Sequence, residues 1–164
     1  CVCANAARAL SASFPNCSSL TSIWCNELGS LRGSGKETEG FESFFRSLPL
    51  LPSLTYLSAV SFNDRSCNVS TDIVFDVLRG CSALRHLCLR VQEPSDSEIL
   101  QFTETMRNNQ HSPTLTSLQL DFSGLNIDHL DEAEEEWVER IRREETMRAA
   151  CVAIPTVNIE ILSE

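Results

Sequence analysis

The sequence predicts an α/β solenoid: an arc of about five repeats, with a parallel β-sheet on its concave side and α-helices on its convex side. Three observations carry this expectation. Four segments align without gaps: Leu20-Thr21-Ser22-Ile23-Trp24-Cys25, Leu54-Thr55-Tyr56-Leu57-Ser58-Ala59, Leu84-Arg85-His86-Leu87-Cys88-Leu89 and Leu115-Thr116-Ser117-Leu118-Gln119-Leu120. Each is apolar at its first, fourth and sixth positions. The first positions recur at intervals of about thirty residues, at or slightly above the upper end of the spacing expected for one short strand and one helix per repeat. The stretches between them carry apolar residues at helical rather than alternating spacing.

Taken in order, Ala4–Ser13 reads as the end of a first helix and Phe41–Leu48 as a short second one. Three residues ahead of each first position stand Cys17, Leu51, Cys81 and Ser112, and Pro or small polar residues precede each strand, as in Pro52-Ser53 and Pro113-Thr114. Thr71–Arg79 carries Ile73, Val74, Val77 and Leu78 at helical spacing, and Gly80 stands where a C-terminal glycine cap belongs. Ser95 followed by Glu98 is a capping-box signature, opening a helix that continues through Ile99, Leu100, Phe102 and Met106. A long acidic helix is expected over 128–150, starting with Asp131-Glu132-Ala133-Glu134-Glu135-Glu136 and striped by Leu130, Ala133, Trp137 and Ile141. Glu136–Arg140, Glu139–Arg143 and Glu144–Arg148 pairs support it as a solvated face. At roughly 30 Å it exceeds what a repeat of this kind needs, so it is expected to protrude as an insertion or to break in two. A degenerate fifth copy, Ile154–Ile161, alternates strictly and closes the chain. Strand, helix, parallel strand implies a right-handed coil.

A doubly wound α/β domain alternates elements in the same way. Its buried parallel strands, however, are usually apolar throughout, whereas these repeat a three-then-two spacing. No strand is followed by a glycine-rich phosphate loop, and Gly33-Ser34-Gly35 lacks the lysine and serine of a P-loop.

The 164 residues suffice for one domain, 1–164, with its own core. With 42% hydrophobic but only 7% aromatic residues, that core is expected to be mainly aliphatic. A net charge of −10 argues against a nucleic-acid groove or an anionic membrane and favours a basic or neutral protein surface as partner. The chain opens in mid-pattern with Cys1-Val2-Cys3-Ala4, without a signal peptide or an apolar run long enough to span a bilayer, so a piece of a longer chain is expected.

Eight cysteines could form a disulfide framework, but they are scattered without a Cys-x-x-Cys pair. Cys17, Cys25 and Cys81 fall at interior positions of the repeat, where a free thiol acts as a small hydrophobe. Reduced thiols in an intracellular protein are therefore expected, with no metal site and no cofactor. Asn16-Cys17-Ser18 and Asn68-Val69-Ser70 match the glycosylation triplet and are read as accidental.

From Ala4 to Leu162 the sequence resembles leucine-rich repeat proteins with helical convex faces. Gly80-Cys81-Ser82-Ala83-Leu84-Arg85-His86-Leu87-Cys88-Leu89, with its Cys-x-x-Leu-x-x-Leu opening, is most similar to repeats of F-box/leucine-rich-repeat proteins, and Asn16-Cys17-Ser18-Ser19-Leu20-Thr21-Ser22-Ile23 echoes it. The irregular spacing and long insertions are similar to the divergent fungal members. The chain departs from the family where Asn or Cys would follow the sixth position by three residues, having Leu28, Phe62, Gln92 and Ser123 instead.

On such strands the neighbours of the inward fourth and sixth residues face the concave side. That puts Ser22, Trp24 and Asn26 outward, followed by Tyr56, Ser58 and Val60, then His86, Cys88 and Arg90, then Ser117, Gln119 and Asp121. Trp24, Tyr56, His86, Arg90, Gln119 and Asp121 are the candidate partner-binding residues, since Trp, Tyr and Arg dominate binding hot spots. Arg90 and Asp121 could instead form a surface pair with each other. His86 and Cys88 invite a nucleophile–base reading, but no orienting acid or oxyanion site accompanies them, and no enzymatic activity is expected.

The resemblance implies a protein-interaction module, the substrate-recognition repeats of an F-box-like ubiquitin-ligase adaptor, which meets the ligase scaffold through a region outside this chain. The competing readings are a scaffold or ligand-sensing repeat domain without a ligase connection, and an extracellular recognition module with disulfides and glycans.

Overall fold

The first three strands are entered through the same hydrogen-bonded corner. The computed structural model describes residues 4–25, 36–59, 69–91, 94–108, 113–121, 138, 141–143, 145, 146, 149 and 158–162. Within it the carbonyls of Cys17, Leu51 and Cys81 accept from the amides of Leu20, Leu54 and Leu84 at 3.0, 3.2 and 3.1 Å. Ser18-Ser19, Pro52-Ser53 and Ser82-Ala83 fill these turns, the small, polar or ring-constrained residues that such reversals favour.

The chain then joins the preceding strand through one shared acceptor. The Thr21 carbonyl accepts from the Thr55 and Tyr56 amides at 2.8 and 3.1 Å, and the Thr55 carbonyl from Arg85 and His86 at 2.8 and 3.0 Å. The Arg85 carbonyl accepts from Thr116 and Ser117 at 2.9 and 3.0 Å. The hydroxyls of Thr55 and Thr116 add bonds to the same carbonyls at 3.0 and 3.1 Å. Threonine in the second position thus adds a side-chain bond to the shared carbonyl at two of the three strand entries.

Five parallel strands follow in chain order: β1 (Ser22–Cys25), β2 (Tyr56–Ala59), β3 (His86–Arg90), β4 (Ser117–Asp121) and β5 (Asn158–Leu162). Ile23, Leu57, Leu87, Leu118 and Ile159 are paired in register across the sheet, so the gapless sequence alignment is also the strand alignment. The helices are α1 (Ala4–Ser13), α2 (Lys36–Ser47), α3 (Thr71–Gly80) and α4 (Asp96–Arg107), each packed on the next. They cover the face that carries the fourth and sixth strand positions: Leu57, Leu87, Leu89, Leu118 and Leu120 share one core with Phe44, Phe45, Phe75, Leu78 and Phe102. The protein is a mixed α/β fold built on a parallel sheet. No helix among the described residues is long and apolar enough to cross a membrane.

The core has two characters. Its sheet side is aliphatic, as expected. Its helix side mixes aliphatic residues with aromatic ones, with Phe14 edge-on to Phe44 at 5.5 Å, Phe44 edge-on to Phe45 at 5.4 Å, and Phe75 stacked on Phe102 at 6.3 Å. A low overall aromatic content concealed this because the phenylalanines are concentrated in the helices. α2 and α3 are further joined by an Arg46–Asp76 ion pair on the surface.

The capping box forms as the sequence indicates. Ser95 Oγ accepts from the Glu98 amide at 3.4 Å, and the Glu98 carboxylate accepts from the Ser95 amide at 2.7 Å. Burial alone would raise the Glu98 pKa, but hydrogen bonds from the Ser95 hydroxyl and amide and from the Thr71 hydroxyl outweigh it and hold the carboxyl below its ordinary value.

Several boundaries differ from the sequence reading. α2 starts at Lys36 rather than near Phe41, because its first turns are polar and carry no apolar stripe to betray them. Gly80 is not a left-handed cap: α3 runs through it and ends at Cys81, whose φ is −93°. Glycine is required there for space instead. A Cβ on Gly80 would overlap the Pro49 Cγ and lie 2.9 Å from its Cβ. Gly80→Ala would ordinarily gain up to about 1 kcal/mol in a helix. Here it is expected to lose about 1 kcal/mol, because overpacking against a proline ring outweighs propensity; urea unfolding of the two proteins gives the sign. The expected helix over 128–150 falls mostly outside the described residues, although 138, 141–143, 145, 146 and 149 are helical. Arg142 and Arg143 reach Asp96 at the start of α4, at 3.4 and 3.5 Å. Asn26, Val60 and the turn positions Leu28, Phe62, Gln92 and Ser123 also lie outside the described residues.

Cys17, Cys25, Cys81 and Cys88 are free thiols. Cys81 is buried as expected, whereas Cys17 and Cys25 are only half-buried, because they belong to the β1 end of the sheet and are covered from one side. Burial pushes the Cys81 thiol up to about 12, so the reactive thiolate is scarce at neutral pH. In the native protein Cys81 should therefore resist iodoacetamide over a period that alkylates it fully in denaturant. Peptide mapping by mass spectrometry reads this directly, and equal rates in both states would contradict the packing described here.

Candidate functional site

The parallel register determines which side chains meet on the face turned away from the helices. Tyr56 pairs with His86, His86 with Ser117 and Ser117 with Asn158, forming one row across the strands. Two residues further along, Trp24, Ser58, Cys88 and Gln119 form a second, which the register continues onto Glu160. A third row at the strand ends contains Arg90 and Asp121.

Three of the expected binding residues come together. The rings of Trp24 and Tyr56 lie 6.4 Å apart at a 58° tilt, and those of Tyr56 and His86 6.0 Å apart at 47°. Trp24 is 71% exposed, the most open of the large hydrophobic side chains described. His86 is also exposed and Tyr56 half-buried between them. The three form a continuous aromatic surface, seated on strands whose opposite face is locked into the core at Leu57 and Leu87. A platform of this kind is pre-organised, since little side-chain or backbone order remains to be imposed on binding.

Gln119 is drawn into a different contact. The Cys88 thiol donates to its Oε1 at 3.0 Å, fixing the half-buried amide beside the platform. Cys88 thus engages Gln119, and His86 engages Tyr56. Among the described residues no cluster of His, Cys, Asp and Glu has the makings of a metal site.

No protein-family model matches the chain, and no curated protein is significantly similar to it. Geometry and chemistry alone therefore bear on its function.

Arg90 and Asp121 correct the sequence reading. They share the outward parity of Trp24 and Tyr56, yet they are only 7% and 3% exposed and present no surface to a partner. Arg90 Nε donates to Asp121 Oδ2 at 3.0 Å, and its terminal nitrogen approaches the same oxygen at 2.9 Å. The pair stands at the ends of β3 and β4, where the backbone pairing continues. The chain entering α3 pairs Val69 with Val91 immediately beyond Arg90, and the Val91 amide donates to the Asp121 carbonyl at 2.9 Å. Two charges removed from water in this way are tolerable only as a neutralised, hydrogen-bonded pair. Alternation assigns the correct face but cannot foresee that the end of a strand is covered.

Proposed function

We propose that this chain is a leucine-rich repeat recognition module, a solenoid of about five repeats that binds a protein partner on the exposed face of its sheet. The observation that carries the reading is the exposed Trp24 held against Tyr56 and His86 on a rigid sheet. Supporting it are the strands' chain-order pairing, the repeated entry turns and the single core that stacks one apolar column on the next. An isolated aromatic would be ordinary at a protein surface, but a contiguous cluster that includes Trp and Tyr has the composition of a binding hot spot.

The specific form of this proposal is the substrate-recruiting domain of an F-box-like ubiquitin-ligase adaptor. It rests on the Cys-x-x-Leu-x-x-Leu opening at Cys81, Leu84 and Leu87, echoed at Cys17, Leu20 and Ile23. An intracellular setting goes with it, since the four described cysteines are free thiols.

Trp24→Ala or Tyr56→Ala is expected to weaken the native partner by about 2 kcal/mol, roughly thirtyfold. Neutralising Glu134, Glu135 and Glu136 together should mainly alter the salt dependence and the association rate. Titration of the purified partner against both classes of variant, each first shown to be folded, tests the reading. Loss of binding in the glutamate variant with retention in the aromatic ones would transfer the site to the acidic segment. Co-purification with a ubiquitin-ligase scaffold separates the adaptor from a repeat scaffold without ligase connection.

A further inference from the structure

We propose that the Trp24–Tyr56 part of the platform receives an arginine or lysine side chain from a basic, extended peptide segment of the partner; this rests on the reading of the sheet face as the binding surface.

Three observations support a cationic occupant. Trp24 presents most of its ring to solvent and Tyr56 part of its own, and the negative faces of these two rings are the preferred seats for a guanidinium or ammonium group. Among the described residues at outward positions of the sheet, the permanently charged cation is Arg90, and it is buried against Asp121. No outward strand position described beside Trp24 therefore carries a permanent positive charge. Finally, the chain carries a net charge of −10, which raises the local concentration of a basic segment and speeds its arrival. An aliphatic ligand would gain from the rings alone. It would gain nothing from the charge, and an acidic one would be opposed by it.

Strand spacing gives the peptide a direction. Adjacent strands stand about 4.8 Å apart, so a segment lying across the strands passes from Trp24 over Ser58 and Cys88 to Gln119 within roughly 15 Å. Along that path no second large aromatic follows Trp24: Ser58 is buried and Cys88 and Gln119 are half-buried, so they form a low floor beneath an extended backbone.

A short alternating Arg-Gly peptide, with Ser-Gly and Glu-Gly peptides of the same length as controls, tests the inference by calorimetry on the whole chain at physiological ionic strength. The Arg-Gly peptide should bind and the other two should not. Trp24→Leu, at an exposed position where folding is not at stake, should weaken it about fivefold, while Trp24→Phe retains most of the affinity. Replacing Glu134, Glu135 and Glu136 by glutamine should lower affinity at low salt without removing the dependence on Trp24. Unchanged Arg-Gly binding by Trp24→Leu overturns the inference, because attraction then comes from net charge alone. Equal, Trp24-dependent binding of the Arg-Gly and Ser-Gly peptides also overturns it but leaves the sheet face as the binding surface. If no peptide binds while the native partner still depends on Trp24, the cationic occupant is wrong and the face is right. A native partner indifferent to Trp24 removes the face itself.

Discussion

Replacing Arg90 by methionine is expected to destabilise the fold by about 3–5 kcal/mol, far more than an exposed ion pair contributes. The pair spans β3 and β4, with side-chain exposures of 8% and 4%. Methionine fills much the same space but leaves the Asp121 carboxylate in a place that water scarcely reaches, without its guanidinium. Asp121→Leu should cost a comparable amount by removing the buried counter-charge of the arginine. The double variant Arg90→Met with Asp121→Leu is the informative member of the series. It removes both charges and keeps the volume, so it should recover most of the loss. Urea unfolding of the four proteins supplies the cycle. Single losses below about 1 kcal/mol would mean that the pair behaves as a surface contact and that the strand ends are open to solvent.

The architecture was legible because one pattern served two purposes. Apolar residues at the first, fourth and sixth positions both mark the repeat and fill the core, so aligning Leu57, Leu87 and Leu118 in sequence also aligned them in the sheet. Ser95 and Glu98 were legible for a similar reason: the motif is a local hydrogen-bond exchange that needs no tertiary information. Gly80 was not, because its small size answers to Pro49, thirty-one residues away, rather than to its own helix end. Helix α2 was shortened in the reading because Lys36-Glu37-Thr38-Glu39-Gly40 offers no apolar spacing.

The candidate site shows the same division. Parity placed Trp24, Tyr56 and His86 on one face, and the register brought them into ring contact. The same parity placed Arg90 and Asp121 beside them, where the structure buries the two as an ion pair. The Cys88–Gln119 hydrogen bond had no sequence signal beyond adjacency, since either side chain is as often solvated as paired. The threonines at 55 and 116 were an unused signal: a β-branched hydroxyl residue just before a strand is well suited to bonding the carbonyl that precedes the neighbouring strand.

Leu84→Ala should cost about 3 kcal/mol, and Leu20→Ala about 1 kcal/mol, although both remove the same atoms from the same position of the repeat. Leu84 has Leu54 on one side and Leu115 on the other and is fully buried, so its removal leaves a cavity that neighbours on both sides cannot fill. Leu20 is only half-buried and packs on the core from its edge, where solvent or a small shift can fill the space. The functional consequence follows from the position of Trp24 on β1, the strand that the less buried Leu20 introduces. Leu20→Ala should weaken partner binding beyond its small effect on stability, because it frees the strand that holds Trp24 against Tyr56. Leu84→Ala, which destabilises more, should leave binding nearly intact in the molecules that remain folded. Measuring unfolding and partner affinity for both variants separates the two quantities, and an equal loss of stability at the two positions would show that β1 is as well covered as β3.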